Sequence, residues 1–295
     1  MVGPAYALRH ALGTARGLKS FFTDLFAAFG GTSAVLQFIG QWFPGALPHP
    51  GALTVAALGV CLIWAAVRAY PNSTVRHTYR NPDMTVVVTV GDLFDQDTHL
   101  VVGFSDTFDT ATGQDAIVSP ASVQGQLVSR LYGGDERSLD RELVSALHET
   151  APSSRERRTD KRRGKLKRYP LGTVAVLGAR PRLVFAVAYS RMGNDQVARS
   201  SVDDLWRSLD RLWDAVQRHG QQEAVAMPLV GSGLARLDFL DHETLLRLTL
   251  LSFLARSRER RVCRELRIVL WPADLSKVNL PEAAAFLRTF ESRLA

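Results

Sequence analysis

The chain has 295 residues, of which 46% are hydrophobic and 22% are charged. This length leaves room for one ordinary domain plus an appendage, and the hydrophobic fraction suffices for a core, so wholesale disorder is excluded. The net charge of +7 favours an anionic partner such as a nucleotide, a phospholipid head group or a nucleic acid. Two cysteines and scattered histidines give no disulfide framework and no metal-ligand spacing, so we predict no metal and no cofactor.

An uncharged segment near the amino terminus is the strongest compositional feature. Between Leu25 and Val67 there is no Asp, Glu, Lys or Arg. A membrane-spanning helix needs about 20 apolar residues, and two stretches approach this, Phe21 to Phe43 and Leu53 to Tyr70, with prolines and glycines between them. We therefore predict a two-helix transmembrane hairpin at residues 21–70.

Basic residues flank both outer ends of this hairpin, which places both ends in the cytoplasm. The prediction is a multi-pass protein of the inner (cytoplasmic) membrane, with a cytoplasmic segment at residues 1–20. A cleaved signal peptide and a buried helical pair outside a membrane are the alternatives. Small residues, Gly30, Gly31, Gly40 and Gly59, allow close approach of helices, so we expect a homo-oligomer unless they pack only within one hairpin.

A second domain, predicted at residues 78–295, alternates strands with helices. Strands are indicated by β-branched or apolar runs at Thr85 to Val90, Leu100 to Gly103, Thr173 to Leu177, Leu183 to Ala188, Ala224 to Met227 and Leu266 to Trp271. Helices are indicated by apolar stripes at Val202 to Arg218, His242 to Ser257 and Pro281 to Leu294. This alternation predicts an α/β layer fold.

Loops that follow the predicted strands carry the first candidate binding residues, because ligands of α/β sheets bind beyond the carboxyl ends of strands. Gly91, Asp92 and Leu93 follow the first strand, and the Asp92 carboxylate could accept a hydrogen bond from an exocyclic amine such as that of adenine. A plain turn is the alternative. Asp106, after the second strand, could hold ribose hydroxyls.

Two glycine-containing loops are candidate anion sites. One opens a predicted helix and the other lies between a strand and a helix, so backbone N–H groups in both can approach a phosphate. The candidate residues are Val123, Gln124, Gly125, Val230, Gly231, Ser232, Gly233, Leu234 and Arg236. A plain tight loop is the alternative for the second. Ser232 is not part of a GxSxG motif, and we predict no catalytic residue.

In this order, the loops resemble those of the macro domain family over roughly residues 80 to 295. The resemblance implies a mixed sheet flanked by helices and an ADP-ribose-like ligand. It implies that Asp92 recognises adenine, that Asp106 occupies the place of a ribose-binding asparagine, and that Gly125 and residues 231–233 belong to two phosphate loops.

Two stretches depart from the family pattern. Gly103-Phe104-Ser105-Asp106 stands where the family has Asn-Ala-Ala-Asn, and Ala121-Ser122-Val123-Gln124-Gly125 replaces a triple-glycine loop. In the family, the asparagine-rich loop is associated with ADP-ribosyl hydrolysis. We therefore predict binding without catalysis, with a membrane-anchored macro-type ADP-ribosyl hydrolase as the alternative.

A two-helix membrane segment joined to a divergent macro domain resembles the effector of bacterial Thoeris anti-phage defence. The resemblance implies that a TIR-domain NADase makes an ADP-ribose-derived signal, with histidine-ADP-ribose as one candidate. It further implies that binding of this signal leads to oligomerisation and to disruption of the lipid bilayer.

A basic segment at residues 155–168 contains nine lysines and arginines. We expect a mobile, solvated loop, with contact to anionic lipid as the alternative. No aromatic residues interleave with the charges as in a single-strand stacking platform, so we predict no nucleic-acid partner.

Overall fold

The computed structural model describes residues 15–42, 55–62, 64, 74–113, 116–233 and 240–291. The chain divides into two units, Met1–Ser73 and Thr74–Ala295. In the first unit, helix α1 spans Ala15–Trp42, and residues 55–62 and 64 are also helical.

No helix in the described part of the chain combines the length and the apolar character that a bilayer crossing requires. This finding contradicts the predicted multi-pass location in the inner membrane, and the two-helix transmembrane hairpin has no support. The sequence argument counted missing charges, but Gly30, Gly31, Ser33, Gln37 and Gln41 dilute the apolar character of α1. Of the second predicted span, only residues 55–62 and 64 lie within the described chain.

The described residues of the second unit contain ten strands. They are β1 (Thr74–Arg80), β2 (Asp83–Val90), β3 (His99–Ser105), β4 (Ser154–Arg155), β5 (Lys167–Arg168), β6 (Val174–Leu177), β7 (Val184–Met192), β8 (Ala198–Arg199), β9 (Val225–Pro228) and β10 (Glu265–Leu270). The main sheet has the order β1-β2-β10-β9-β3-β7-β6, with β8 paired to β7, and β4 and β5 form a separate pair. Strands β2, β10, β9, β3 and β7 are mutually parallel, while β1, β6 and β8 pair antiparallel to their neighbours.

Five α-helices and one 3-10 helix accompany these strands in the described part of the unit. They are α2 (Val123–Leu131), α3 (Glu136–Ala146), α4 (Val202–His219), α5 (His242–Glu259), the 3-10 helix Pro272–Lys277 and α6 (Leu280–Glu291). Local capping fixes where several of them begin. The Ser201 side chain accepts from the Asp204 N–H at the start of α4, and the Asp241 side chain accepts from the Thr244 N–H at the start of α5.

Two hydrophobic clusters cover the two faces of the sheet, because successive strand residues point to opposite sides. Val86 and Val88 of β2 belong to the cluster that contains the buried face of α4, where Trp213 contacts Phe253 of α5 edge-on. Leu100 of β3 belongs to the other cluster, with residues of α2 and α3. The predicted mixed α/β sheet with flanking helices is confirmed.

Strand β1 was missed by the sequence analysis for a physical reason. It lies at the edge of the sheet, most of its side chains are not buried, and its Arg76, His77 and Arg80 hide the apolar alternation. Its one buried side chain, Tyr79, donates a hydrogen bond from its hydroxyl to the Leu287 carbonyl at 2.8 Å.

Candidate functional site

A cleft of about 660 Å³ lies beyond the carboxyl ends of the parallel strands, a size suited to a small organic ligand. Its base is formed by residues at the ends of β3 and β10, including Phe104, Ser105 and Leu270. The remaining lining comes from β7 and from the segments that follow β2, β3, β7, β9 and β10, including the first residues of two helices. This is the edge at which the sequence analysis placed the binding loops.

The segment from the last residue of β9 through the following loop, residues 228–233, lies along the cleft throughout its described length. Gly231 has φ +92°, a left-handed conformation that glycine adopts without strain. The Ser232 hydroxyl donates to the Leu229 carbonyl at 2.7 Å. The N–H groups of Gly231 and Gly233 make no hydrogen bond to any described residue, so both donors are available to a ligand.

Val230, Gly231, Ser232 and Gly233 all line the cleft, and their role as a phosphate loop stays a prediction. Leu234 and Arg236 belong to residues 234–239, which lie outside the described residues.

The start of α2 forms a second part of the lining. Ser122 caps the helix, and its side chain accepts from the Gly125 N–H at 3.0 Å. Val123 and Gln124 line the cleft, and their N–H groups make no hydrogen bond within the described chain. The first N–H groups of a helix attract anions because they are unpaired and lie at the positive end of the helix dipole.

Gly125 does not line the cleft, and glycine is needed at this position for a steric reason. A Cβ at this position would lie 2.3 Å from the Ser119 carbonyl oxygen and 2.7 Å from Cα of Pro120. Its N–H is also taken by Ser122. Gly125 thus allows α2 to approach the preceding loop closely, whereas the sequence analysis predicted a direct phosphate contact.

Asp92 lies beside the cleft while its neighbours Gly91 and Leu93 line it. One carboxylate oxygen of Asp92 accepts from the Phe94 N–H at 2.8 Å, and the other pairs with Nη1 of Arg130 at 2.5 Å. The predicted adenine-recognising carboxylate is therefore engaged on both oxygens within the protein.

Asp106 is buried and absent from the cleft lining. Its Oδ2 pairs with Nη1 of Arg168 at 2.8 Å, and its Oδ1 accepts from the Met192 N–H at 2.8 Å. Arg168 in turn pairs with Glu156 at 2.6 Å. The structure does not bring Asp106 together with the other predicted binding residues.

A buried ion pair that the sequence did not indicate ties the basic segment to the β3–α2 connection. Nζ of Lys161 lies 3.1 Å from Oδ2 of Asp109, and the two side chains are only 1% and 2% exposed. Lys161 also donates to the Lys165 carbonyl at 2.7 Å, and Thr107 donates to Asp109 at 2.6 Å. The expected solvated loop at residues 155–168 is thus anchored to the domain through Lys161, in addition to the pair that Arg168 forms with Asp106.

The far end of the cleft, beyond β10, contains an aromatic, an acidic and an imidazole side chain. Trp271, Asp274 and His242 all line it. Nε2 of His242 lies 3.5 Å from Oδ1 of Asp274, and this same oxygen is 2.8 Å from Nζ of Lys277. His242 and Asp274 were not predicted as binding residues, because they come from separate segments and match no motif, whereas Trp271 ends the last predicted strand, where a ligand is expected.

At the base of the cleft, a residue of β3 packs against the ring of Tyr189 in the neighbouring strand β7. A Cβ at Gly103 of β3 would lie 2.5 Å from Cε1 of Tyr189 in β7, so glycine leaves room for the ring. Burial raises the pKa of Tyr189 to about 12, which keeps its hydroxyl protonated at neutral pH.

Among the described residues, no group of three His, Cys, Asp or Glu side chains could hold a metal ion.

Comparison with known proteins agrees with this geometry. The model of the family described as Thoeris protein ThsA, Macro domain, matches residues 86–271. Thoeris protein ThsA of Bacillus amyloliquefaciens (strain Y2) is 24% identical over 209 residues, which cover 68% of this chain and 67% of that protein.

Among solved structures, a mutant of the Oceanobacillus iheyensis macrodomain shares the fold. It has a TM-score of 0.50 at 13% identity, covering 73% of this chain and 94% of its own. The family match extends over most of the chain and includes the strands that form the base of the cleft. The chain belongs to the family of Thoeris ThsA proteins with a macro domain.

Proposed function

We propose that the cleft binds an ADP-ribose-type nucleotide and that the chain acts as a sensor of this nucleotide. The observation that carries the proposal is the presence of two sets of unpaired backbone donors on one cleft. Gly231 and Gly233 supply one set, and Val123 and Gln124 at the start of α2 supply the other. Backbone N–H groups arranged in this way bind phosphate oxygens.

The described lining leaves a diphosphate to the backbone donors rather than to charged side chains. No lysine or arginine occurs among the described residues that line the cleft. A diphosphate would therefore depend on the N–H groups and on the dipole of α2, each of which favours an anion over a neutral group. The strand ends and the apolar part of the lining leave space for the ribose and the base.

We propose further that the nucleotide is bound without turnover. Hydrolysis of an ADP-ribosyl bond needs a polar group that positions water at the distal ribose, and neither Phe104 at the end of β3 nor Asp106 after it is free to do so. Phe104 is buried and stacks on Phe108, and Asp106 is held by Arg168. These contacts favour a binding site over a hydrolase.

The family membership supports a place in anti-phage defence. We propose that a TIR-domain NADase produces the signal nucleotide and that histidine-ADP-ribose is one candidate. We also propose that nucleotide binding changes the self-association of the chain. Light scattering after gel filtration, with and without nucleotide, tests this last point, and an unchanged mass in both conditions would contradict it.

Thermal unfolding of the full chain with ADP-ribose, histidine-ADP-ribose, NAD and cyclic ADP-ribose tests nucleotide binding. A ligand at a hundred times its Kd should add about 2.7 kcal/mol to the free energy of unfolding. The Gly233→Glu variant should lose this stabilisation, because a carboxylate would then occupy the anion site, and a Cβ at Gly233 meets no atom within 4 Å.

Gly233→Gln is the matched control, since it adds the same bulk without the charge. Stabilisation that is retained in Gly233→Gln and lost in Gly233→Glu supports an anion site at this loop. Equal behaviour of the two variants, or no stabilisation by any of the four nucleotides, contradicts it. Chromatography of the recovered nucleotide separates the sensor from the hydrolase, because a product would be found only with the latter.

A further inference from the structure

The basic segment, residues 155–168, contains the entire net charge of the chain. Its nine lysines and arginines and its two carboxylates, Glu156 and Asp160, leave a formal charge of +7, which equals the formal charge of all 295 residues. Acidic and basic residues are therefore balanced over the rest of the sequence. The proposed nucleotide binding does not use this charge, since no residue of the segment is among the described lining of the cleft.

The segment is folded and has an inner face. Strands β4 and β5 pair antiparallel and form a short hairpin. The inner face of this hairpin is turned towards the domain, where Arg168 pairs with both Asp106 and Glu156. Because these ion pairs and the buried pair of Lys161 with Asp109 hold the segment, its remaining side chains are presented from a fixed surface.

The outer face of the hairpin places two cations opposite each other. Arg155 and Lys167 are partners in the register of β4 and β5, so their side chains lie on the same face, and both residues are exposed. Neither side chain forms an ion pair or a hydrogen bond with any described residue. Like charges directly opposite each other across two strands destabilise the pairing. An anionic partner removes this repulsion, so the pair indicates a surface that is completed from outside the chain.

Two further arginines of the segment lack a counter-charge. Arg157 and Arg162 are exposed, and their side chains make no ion pair and no hydrogen bond within the described residues. Elsewhere on the domain, an exposed arginine such as Arg199 has a carboxylate beside it, here Asp195 at 2.6 Å. We call the four cations of the segment that have no such neighbour the unpaired cations; they are Arg155, Arg157, Arg162 and Lys167.

The form of the hairpin distinguishes between the anionic partners that such cations attract. Single-stranded nucleic acid needs aromatic side chains on which bases stack, and the aromatic residue next to the segment, Tyr169, packs edge-on against the buried Phe108. A β-ribbon that reads duplex DNA enters the major groove, but this hairpin has its inner face held against the domain through Arg168. Its outer face is suited instead to an extended anionic surface.

The first unit, taken by itself, favours a lipid surface over an acidic protein surface. Helix α1 has large apolar side chains in solvent, since Phe26 and Trp42 are 71% and 69% exposed and Phe38 is 59% exposed. An acidic protein surface does not cover such residues, whereas the boundary between lipid head groups and acyl chains does. Contact with that boundary does not require a helix that crosses the bilayer.

We propose that the basic segment docks the macro domain on a surface of anionic phospholipid, with the unpaired cations contacting the phosphate groups. Each arginine presents a fork of N–H donors that matches two phosphate oxygens, and Lys167 adds a point charge. The contact is peripheral and electrostatic, so it weakens as salt screens the charges. It is separate from nucleotide binding, because none of the four residues lines the cleft.

Flotation of the full chain with vesicles tests the proposal. Vesicles of phosphatidylcholine alone are compared with vesicles of equal parts phosphatidylcholine and phosphatidylglycerol, at low and at high salt. The wild-type chain should bind the anionic vesicles more tightly, and this excess should vanish at high salt. In the double variant Arg155→Gln with Lys167→Gln, the affinity for anionic vesicles should fall by about 25-fold, since each cation near such a surface contributes about fivefold. Binding to the neutral vesicles should not change.

Arg137→Gln with Arg258→Gln is the matched control. It removes the same charge from two exposed arginines outside the segment that form no ion pair within the described residues. This control should bind anionic vesicles as the wild type does. Urea unfolding should show Arg155→Gln with Lys167→Gln to be at least as stable as the wild type, because a repulsion between like charges is removed.

Several results would overturn the proposal. Equal binding of the wild type to neutral and anionic vesicles is one, and an equal loss in both double variants is another, since it would reflect net charge alone. A lower free energy of unfolding in Arg155→Gln with Lys167→Gln would make the two cations structural. Duplex DNA and poly(U) RNA are measured at the same salt. Tighter binding to either than to anionic vesicles, lost in that variant, would assign the segment to nucleic acid.

Discussion

The two sides of the cleft differ in whether their polar groups are hydrogen-bonded within the protein. On one side, the β3–α2 connection (residues 106–122, of which 114–115 lie outside the described chain) pairs its carboxylates with protein donors: Asp106 with Arg168 and Asp109 with Lys161. On the other, residues 228–233 leave the N–H groups of Gly231 and Gly233 unpaired. We call the first the paired wall and the second the open wall.

This difference separates the residues that hold the fold from those that are free to bind. A buried polar group that is already hydrogen-bonded within the protein has little capacity left to bind a ligand. An unpaired donor in a cleft, by contrast, is an available contact. Substitutions in the paired wall should therefore change stability, and substitutions in the open wall should change ligand affinity at nearly constant stability.

The largest effect is expected for Lys161→Met. The substitution removes the cation that neutralises Asp109, and both side chains are almost fully buried. Loss of one partner of such a pair costs about 3–5 kcal/mol, because the other charge stays buried and unpaired. Urea unfolding of the purified chain measures this change in the free energy of unfolding.

A neighbouring cation in the same segment supplies the control. Arg157 is exposed and forms no ion pair within the described residues, so Arg157→Met should stay within about 0.5 kcal/mol of the wild type. The double variant Lys161→Met with Asp109→Asn should recover part of the loss, since the amide oxygen still accepts from the Lys165 N–H. Equal effects of Lys161→Met and Arg157→Met would refute the buried pair.

The sequence identified the open wall and missed the paired one, for a reason that lies in how each is built. The glycine loop is contiguous, so its pattern Gly231-Ser232-Gly233 between a strand and a helix is visible directly. The paired wall depends on contacts between distant residues, such as Asp109 with Lys161. Nothing in a run of nine basic residues marks Lys161 as the buried one.

The same reasoning explains the other differences between expectation and structure. Central strands such as β3 and β10 were found because strands buried on both faces read as continuous apolar runs. The membrane prediction was wrong because missing charge was taken as sufficient, although uncharged polar residues lower the apolarity of α1. His242 and Asp274 could not be found as part of the cleft, since they come together with Trp271 only in the folded chain.

Two glycines, one packed against the paired wall and one within the open wall, give the next largest expected effect. Gly125→Ala should lower the free energy of unfolding by about 1–3 kcal/mol, because the new methyl group meets the backbone of Ser119 and Pro120. Gly233→Ala should leave stability equal or raise it slightly, by up to about 1 kcal/mol, since its Cβ enters open space. Thermal unfolding without nucleotide compares the two variants. Similar decreases in the free energy of unfolding in both would contradict the distinction between the walls.

The smallest effect concerns pH and again tests the paired wall. The Glu136 carboxylate accepts from the hydroxyl and the N–H of Thr112, both at 2.6 Å, and from the Gly113 N–H at 3.1 Å. These hydrogen bonds, the Thr112 hydroxyl first, lower the pKa of Glu136 below its usual 4.5. A group whose pKa is lowered by folding stabilises the folded state above its unfolded pKa and loses this contribution as the pH falls through the folded value.

We therefore expect the contribution of Glu136 to be constant from pH 7 down to about 5 and to decline below that, by less than about 1 kcal/mol because the group is partly exposed to solvent. Glu136→Gln cannot ionise, so its difference from the wild type should shrink as the pH is lowered from 5 to 3. Urea unfolding at several pH values measures this difference. A difference that stays constant over that range would mean that the hydrogen bonds from Thr112 do not favour the ionised carboxylate, and that this part of the paired wall is held by other contacts.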